Sequence, residues 1–126
     1  MDRATNCERR LPVEWLPDVP DFTELKERID ALCARASSAQ PDARLLVEIE
    51  DLLAEGYVCA LRGDGRSRGL QRRFDALVAS SGGGAELEQI AREQRTIAEA
   101  TRELRSELAR MRAHWVTLGS DRLGLA

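Results

Sequence analysis

The feature that most constrains this chain is a run of mostly apolar residues between positions 87 and 118. Its members are spaced 3-4-3-4-3-4-3-4-3 and comprise Leu87, Ile90, Gln94, Ile97, Thr101, Leu104, Leu108, Met111, Trp115 and Leu118. Three or four heptads of this kind already indicate a coiled coil, and this run is longer. We therefore predict one long helix over 85–118, ended by Gly119, whose seam faces another helix.

A second long helix is predicted over 42–79, beginning at Pro41 and Asp42. Its apolar stripe contains Leu45, Ile49, Leu52, Gly56 and Cys59. Three glycines between 63 and 69 each disfavour a helix by about 1 kcal/mol relative to alanine, so a break into two helices is the alternative. However, counting on from Ile49 by alternate threes and fours reaches Leu70 and Leu77. A loop has no reason to keep that register, which favours one weak or kinked helix.

A shorter helix is predicted over 21–39, where Asp21 and Glu24 form a capping-box pattern. Its stripe consists of Phe22, Leu25, Ile29, Leu32 and Ala36. Residues 1–20 contain three prolines and should form an irregular arm. The arm also carries apolar residues, so we expect it to lie against the helices, with a docking peptide as the alternative. Residues 120–126 are predicted to be a tail.

The helix lengths decide the predicted architecture. About 33 residues at 1.5 Å each give a helix of about 50 Å, and the helix over 42–79 nearly matches it. The glycine-rich turn Ser80–Gly84 is short enough to make the two helices antiparallel neighbours. The predicted fold is therefore all-α: an antiparallel coiled-coil helical hairpin with a third, shorter N-terminal helix. That third helix is too short to cover the whole hairpin, so the end near the turn should need a second copy or a partner.

Composition excludes several classes of function. Aromatic residues are 4% and charged residues 33% of the chain, which suits long helices, and the net charge of −3 argues against a generally nucleic-acid-coated protein. No stretch of about 18 apolar residues predicts a membrane span, and charges interrupt any N-terminal secretory signal. Cys7, Cys33 and Cys59 are odd in number without a CxxC pair, which predicts no disulfide framework, no zinc site and a reducing, cytoplasmic setting.

No motif predicts catalysis, a cofactor or a metal. His114 is the only histidine and lacks ligand-spaced partners, the serines have no base beside them, and no carboxylates pair on an apolar face. Cys59 falls on a helical stripe, where a small buried thiol is ordinary core material. We therefore predict a protein that is not an enzyme.

The leading prediction is a helical interaction module that self-associates or binds a partner helix. The predicted surface is a stripe left unfilled near the turn and consists of Leu70, Phe74, Leu77, Leu87, Ile90, Gln94, Ile97 and Thr101. Gln94 and Thr101 are polar seam residues that could select register, be tolerated imperfections, or mark where helix glycines approach closely.

Two other functions are compatible with the sequence. A nucleic-acid-associated regulator would bind phosphates through a basic patch of Arg62, Arg66, Arg68, Arg72 and Arg73. No aromatic residues are interleaved with these arginines, so a solvated face, or one paired with glutamates of the last helix, is the simpler interpretation. A small-ligand sensor would instead use a pocket among Trp15, Phe22, Tyr57 and Cys59.

Overall fold

The computed structural model describes residues 21–38, 42–80 and 83–123, with side chains described as far as Ser120. All regular secondary structure in these ranges is helical, which confirms the predicted all-α class. Helix α1 spans Thr23–Ser38, α2 spans Ala43–Ala79 and α3 spans Gly84–Leu123. The predicted N-terminal arm, Pro41, part of the turn and the last three residues lie outside the described ranges.

Helix α2 begins at a side-chain cap and passes through its glycines without a break. The backbone N–H of Arg44 donates a hydrogen bond to Asp42 Oδ1 at 3.0 Å, which satisfies one of the free donors of the first turn. The helix then includes Gly63, Gly65 and Gly69. Packing of the flanking apolar residues outweighs the low helix propensity of glycine here. The alternative of two separate helices is therefore not what the structure shows.

Helix α3 extends further than the sequence pattern predicted. Gly119 was the expected end, but the helix continues to Leu123, so residues 120–123 are helical rather than tail. A single glycine weakens a helix by only about 1 kcal/mol and does not end it unless the backbone leaves the helical region there. Leu118 is buried directly before it, which holds this last part of the helix in place.

The chain divides into two compact units. The first, which we call the three-helix unit, contains, among the described residues, 22–38, 42–58 and 103–123, and so includes α1, the first part of α2 and the second part of α3. Its largest fully buried side chains come from all three helices and are Ile29, Leu45, Ile49, Leu104, Leu108 and Met111. Burial of each such side chain contributes about 1.5–3 kcal/mol, so this core is the main source of stability in the unit.

Ion pairs surround the core of the three-helix unit. Arg28 donates two hydrogen bonds of 3.0 Å to the Glu55 carboxylate, and Lys26 lies 3.0 Å from Glu103. The indole N–H of Trp115 donates to Glu50 Oε2 at 3.1 Å. Within this unit Glu50 faces Trp115 and Gly56 faces Leu108, so α2 and α3 pack antiparallel there.

The second unit contains, among the described residues, Asp21 and residues 59–102, and we call it the two-helix unit for the α2 and α3 segments described in it. Leu70, Ile90 and Ile97 form its buried cluster, and Phe74 and Leu77 pack against that cluster. Gln94 of α3 contacts Ser67 of α2 and Thr101 contacts Gly63, so the two helices run antiparallel here as well.

Candidate interaction surfaces

The stripe that was predicted to be unfilled is largely filled within the single chain. Leu70, Ile90, Ile97 and Thr101 are buried, and Phe74, Leu77, Leu87 and Gln94 are half-buried. The expectation of an open apolar face therefore does not hold at the four buried positions. The physical reason is that the α2 and α3 residues of this stripe face one another in the two-helix unit, which removes their apolar surface from water.

Gln94 is a polar seam residue whose amide is hydrogen-bonded inside the two-helix unit. Its Nε2 donates to the Ser67 carbonyl at 3.3 Å and to Gln71 Oε1 at 3.0 Å. Because a buried amide without partners is destabilising, these bonds explain how the seam accommodates a glutamine. They also require Gln94 to stand opposite Ser67 and Gln71, which penalises any shift of α3 along α2.

Thr101 is accommodated differently, by a glycine on the facing helix. Its side chain is buried, and its hydroxyl has no hydrogen-bond partner in the described structure. A Cβ atom placed on Gly63 would collide with Thr101 Oγ1. Thr101 therefore fills the space that the missing side chain of Gly63 leaves. This matches the interpretation that a polar seam residue marks the close approach of a helix glycine.

The three-helix unit contains the same kind of contact. A Cβ atom on Gly56 would overlap the methyl groups of Leu108, which is fully buried. In each unit a glycine of α2 thus lets a seam residue of α3 approach the helix backbone. Gly56 was predicted as a member of the α2 stripe, and these contacts explain why both positions are occupied by glycine.

The five arginines of the predicted basic patch are all exposed on α2. At 100° per residue, Arg62, Arg66 and Arg73 share one face of the helix and Arg68 and Arg72 share another. Arg73 lies 3.7 Å from Glu86 of α3, and both side chains are more than half exposed. An exposed pair at this distance contributes little to stability. The patch is therefore accessible. The contact of Arg73 with Glu86 agrees with the simpler interpretation, in which these arginines pair with glutamates of the last helix.

The two described cysteines are in different chemical states, which corrects the sequence prediction. Cys59 is disulfide-bonded rather than a free core thiol. Cys33 is free and buried, and burial raises the pKa of its thiol. A disulfide depends on two cysteines meeting in space, which their separation in the sequence cannot reveal. A reducing, cytoplasmic setting stays a prediction, and the disulfide at Cys59 argues against it.

The structure reveals an exposed apolar stripe that sequence analysis did not single out. Val47, Val58 and Leu61 are 52%, 40% and 62% exposed, and Ala54 between them is exposed as well. These four residues follow one another at spacings of seven, four and three along α2, so they share one face. We call this stripe the outer face of α2, because it lies about half a turn from the buried Leu45, Leu52 and Gly56. A second heptad phase in the sequence was the signal that could have found it.

No group of three metal-binding side chains occurs among the described residues, and His114 is half-buried. None of the described helices has an apolar stretch long enough to cross a bilayer. Of the predicted ligand pocket, Trp15 lies outside the described residues, Phe22 is buried and Tyr57 is exposed.

Comparison with known proteins adds no family. No protein-family model matches the chain, and neither curated proteins nor solved structures give a match.

Proposed function

We propose that this protein is a non-enzymatic helical interaction module, built on an antiparallel coiled-coil hairpin with a shorter third helix. The heptad seam of α3 and the antiparallel contacts within each unit support this scaffold. Gln94 opposite Ser67 and Leu108 opposite Gly56 both belong to that seam. The function needs a surface that the scaffold leaves open, because the seam itself is filled.

The proposed interaction surface is the outer face of α2. Single exposed apolar residues are common on protein surfaces and need no explanation. Here, however, Val47, Ala54, Val58 and Leu61 repeat with the period of a heptad on one face of a helix. Such a stripe is typical of a helix that packs against another helix or lies in a groove. Burying one valine or leucine side chain contributes about 1.5–3 kcal/mol, so several in a row can support binding.

Site-specific photo-crosslinking tests this function. A benzophenone amino acid at position 61 should give a protein–protein crosslink in cells that produce the chain, because a partner covers Leu61. The same probe at Glu99, an exposed position on α3, is the matched control and should give much less product. Equal or absent crosslinking at the two positions would contradict an interaction surface on α2.

A small nucleic-acid-associated regulator is the second candidate, favoured by the exposure of Arg62, Arg66, Arg68, Arg72 and Arg73 on one helix. Binding of this kind weakens steeply as salt rises, because it releases counterions from the phosphates. Replacing Arg66, Arg72 and Arg73 with alanine should lower the affinity for a mixed-sequence RNA or DNA and reduce its salt dependence. Fluorescence anisotropy at two salt concentrations measures both, and no binding at low salt removes this candidate.

A further inference from the structure

The outer face of α2 continues as a heptad beyond its apolar centre. Positions 47, 51, 54, 58, 61, 65, 68 and 72 are spaced 4-3-4-3-4-3-4 along α2. Gly65 is half-exposed and the other seven are exposed. The stripe therefore spans several turns of a single helix and offers alternating a and d positions to a second helix.

Charge is distributed unevenly along this stripe. Asp51 stands on one side of the apolar centre, whereas Arg68 and Arg72 stand on the other. Val58 and Leu61 form the middle, flanked by the small residues Ala54 and Gly65. One end of the stripe is acidic and the other is basic. Two copies of the stripe are therefore complementary in charge when they run antiparallel.

We propose that a second copy of this chain covers the outer face of α2, packed antiparallel about a twofold axis between Val58 and Leu61. This proposal rests on the proposed function and names its partner. In this register Val58 faces Leu61 of the second copy, Ala54 faces Gly65, and Asp51 faces Arg68. Each layer joins an a position to a d position, as antiparallel helix pairs require.

Packing and charge both favour this register. Ala54 opposite Gly65 lets the two helix backbones approach closely on either side of the Val58–Leu61 layers. The aliphatic part of Arg72 reaches Val47 of the second copy and covers it. Each dimer contains the Asp51–Arg68 pair twice, because the twofold axis repeats it.

Other arrangements are disfavoured by the same residues. A parallel pairing in register places Asp51 beside Asp51 and Arg68 beside Arg68, and like charges at facing positions destabilise a helix pair. A shift of one heptad in the antiparallel arrangement places Asp51 against Leu61 or Arg68 against Val58. Each of these two shifts leaves a charged side chain facing an apolar one.

Sedimentation of the full chain over a series of concentrations tests the proposal. The wild type should pass from monomer to a species of twice the 14.0 kDa chain mass, and Leu61→Glu should stay monomeric. Leu61 is well exposed, so this change should leave the fold and the circular dichroism spectrum intact. Val116→Glu is the matched control, since Val116 is a similarly exposed apolar residue on α3 and should leave the dimer unchanged.

Charge reversal tests the register itself. Asp51→Arg and Arg68→Asp should each weaken dimerisation by about tenfold or more, and the double variant should restore it to within about threefold of the wild type. A dimer that ignores Leu61→Glu, or a double variant that stays as weak as the single ones, overturns the proposed interface. A wild type that is monomeric throughout overturns self-association. In that case a crosslink from position 61 to another protein would still support the interaction module, so the two failures are distinguishable.

Discussion

The two units of this chain use the same helices but build cores of different depth. In the three-helix unit, α1 contributes the buried Leu25, Ile29 and Leu32, and six large side chains of the unit are almost fully buried. In the two-helix unit the described core is Leu70, Ile90 and Ile97, with Phe74 and Leu77 half-buried beside it. The seam of α3 is regular through both, so the difference comes from what faces it. A glycine contact occurs in both units, whereas the three-helix unit adds a third apolar helix and the two-helix unit adds the hydrogen-bonded Gln94.

The largest expected effect compares the same substitution in the two cores. Leu104→Ala in the three-helix unit should destabilise the protein by about 3–5 kcal/mol, because the dense surroundings cannot collapse into the cavity. Leu70→Ala in the two-helix unit should cost about 2 kcal/mol, since the described part of that core is built from two helices rather than three and can relax more. Both residues are buried, so initial exposure is matched. Urea unfolding measures the difference, and equal losses would mean that the third helix adds no rigidity.

A smaller effect tests the fit between Gly63 and Thr101 in the two-helix unit. Gly63→Ala should destabilise by about 1–2 kcal/mol, because the collision with Thr101 outweighs the gain of about 1 kcal/mol in helix propensity. Gly69→Ala is the control on the same helix, since its added Cβ would lie 3.9 Å from the Arg72 side chain, an ordinary contact. That control should stabilise the protein. Adding Thr101→Ala to Gly63→Ala should recover most of the loss, and additive losses would exclude this contact.

The cysteines provide a third comparison between the units, read by mass spectrometry rather than by stability. Cys33 in the three-helix unit is free and 3% exposed, and its raised thiol pKa keeps it protonated at pH values where an ordinary thiol ionises. Native protein should therefore react slowly with iodoacetamide. In protein unfolded without a reductant, Cys33 should be alkylated and Cys59 should not, and a reductant should make Cys59 reactive, because Cys59 is disulfide-bonded. Alkylation of Cys59 without a reductant would contradict the disulfide.

Features that depend on the periodicity of the sequence were predicted correctly. Features that depend on which residues contact each other in the folded chain were missed. The all-helical class followed from repeats of three and four. The unbroken passage of α2 through Gly63 followed from the preserved phase, although glycine propensity opposed it. The predicted end at Gly119 was wrong because a glycine stops a helix only in a particular backbone conformation. The predicted exposed stripe was wrong at Ile90 and Ile97 because burial depends on which faces the two helices turn toward each other.

The outer face of α2 was missed for a related reason. Leu61 lies on the opposite side of α2 from the buried Gly63 and Leu45. Apolar residues on two phases of one helix look like a single broad stripe until a structure shows which phase is buried. The exposure of Val47, Val58 and Leu61 separates the two phases.

The smallest expected effect concerns an ion pair on the surface of the three-helix unit, where α1 and α2 meet. Arg35 donates to Glu48 Oε1 at 2.6 Å, and this hydrogen bond lowers the pKa of the Glu48 carboxyl. The stability that it contributes is present above the ordinary glutamate pKa and is lost as the pH falls through the lower folded pKa. Arg35→Ala should raise the Glu48 pKa toward its ordinary value in carbon-detected NMR titration. Arg44→Ala should raise it less, because Arg44 acts through charge alone. Since the Arg35 and Glu48 side chains are 50% and 40% exposed, the free energy of unfolding should barely change, and a large loss would mean that this pair does more than join two helix surfaces.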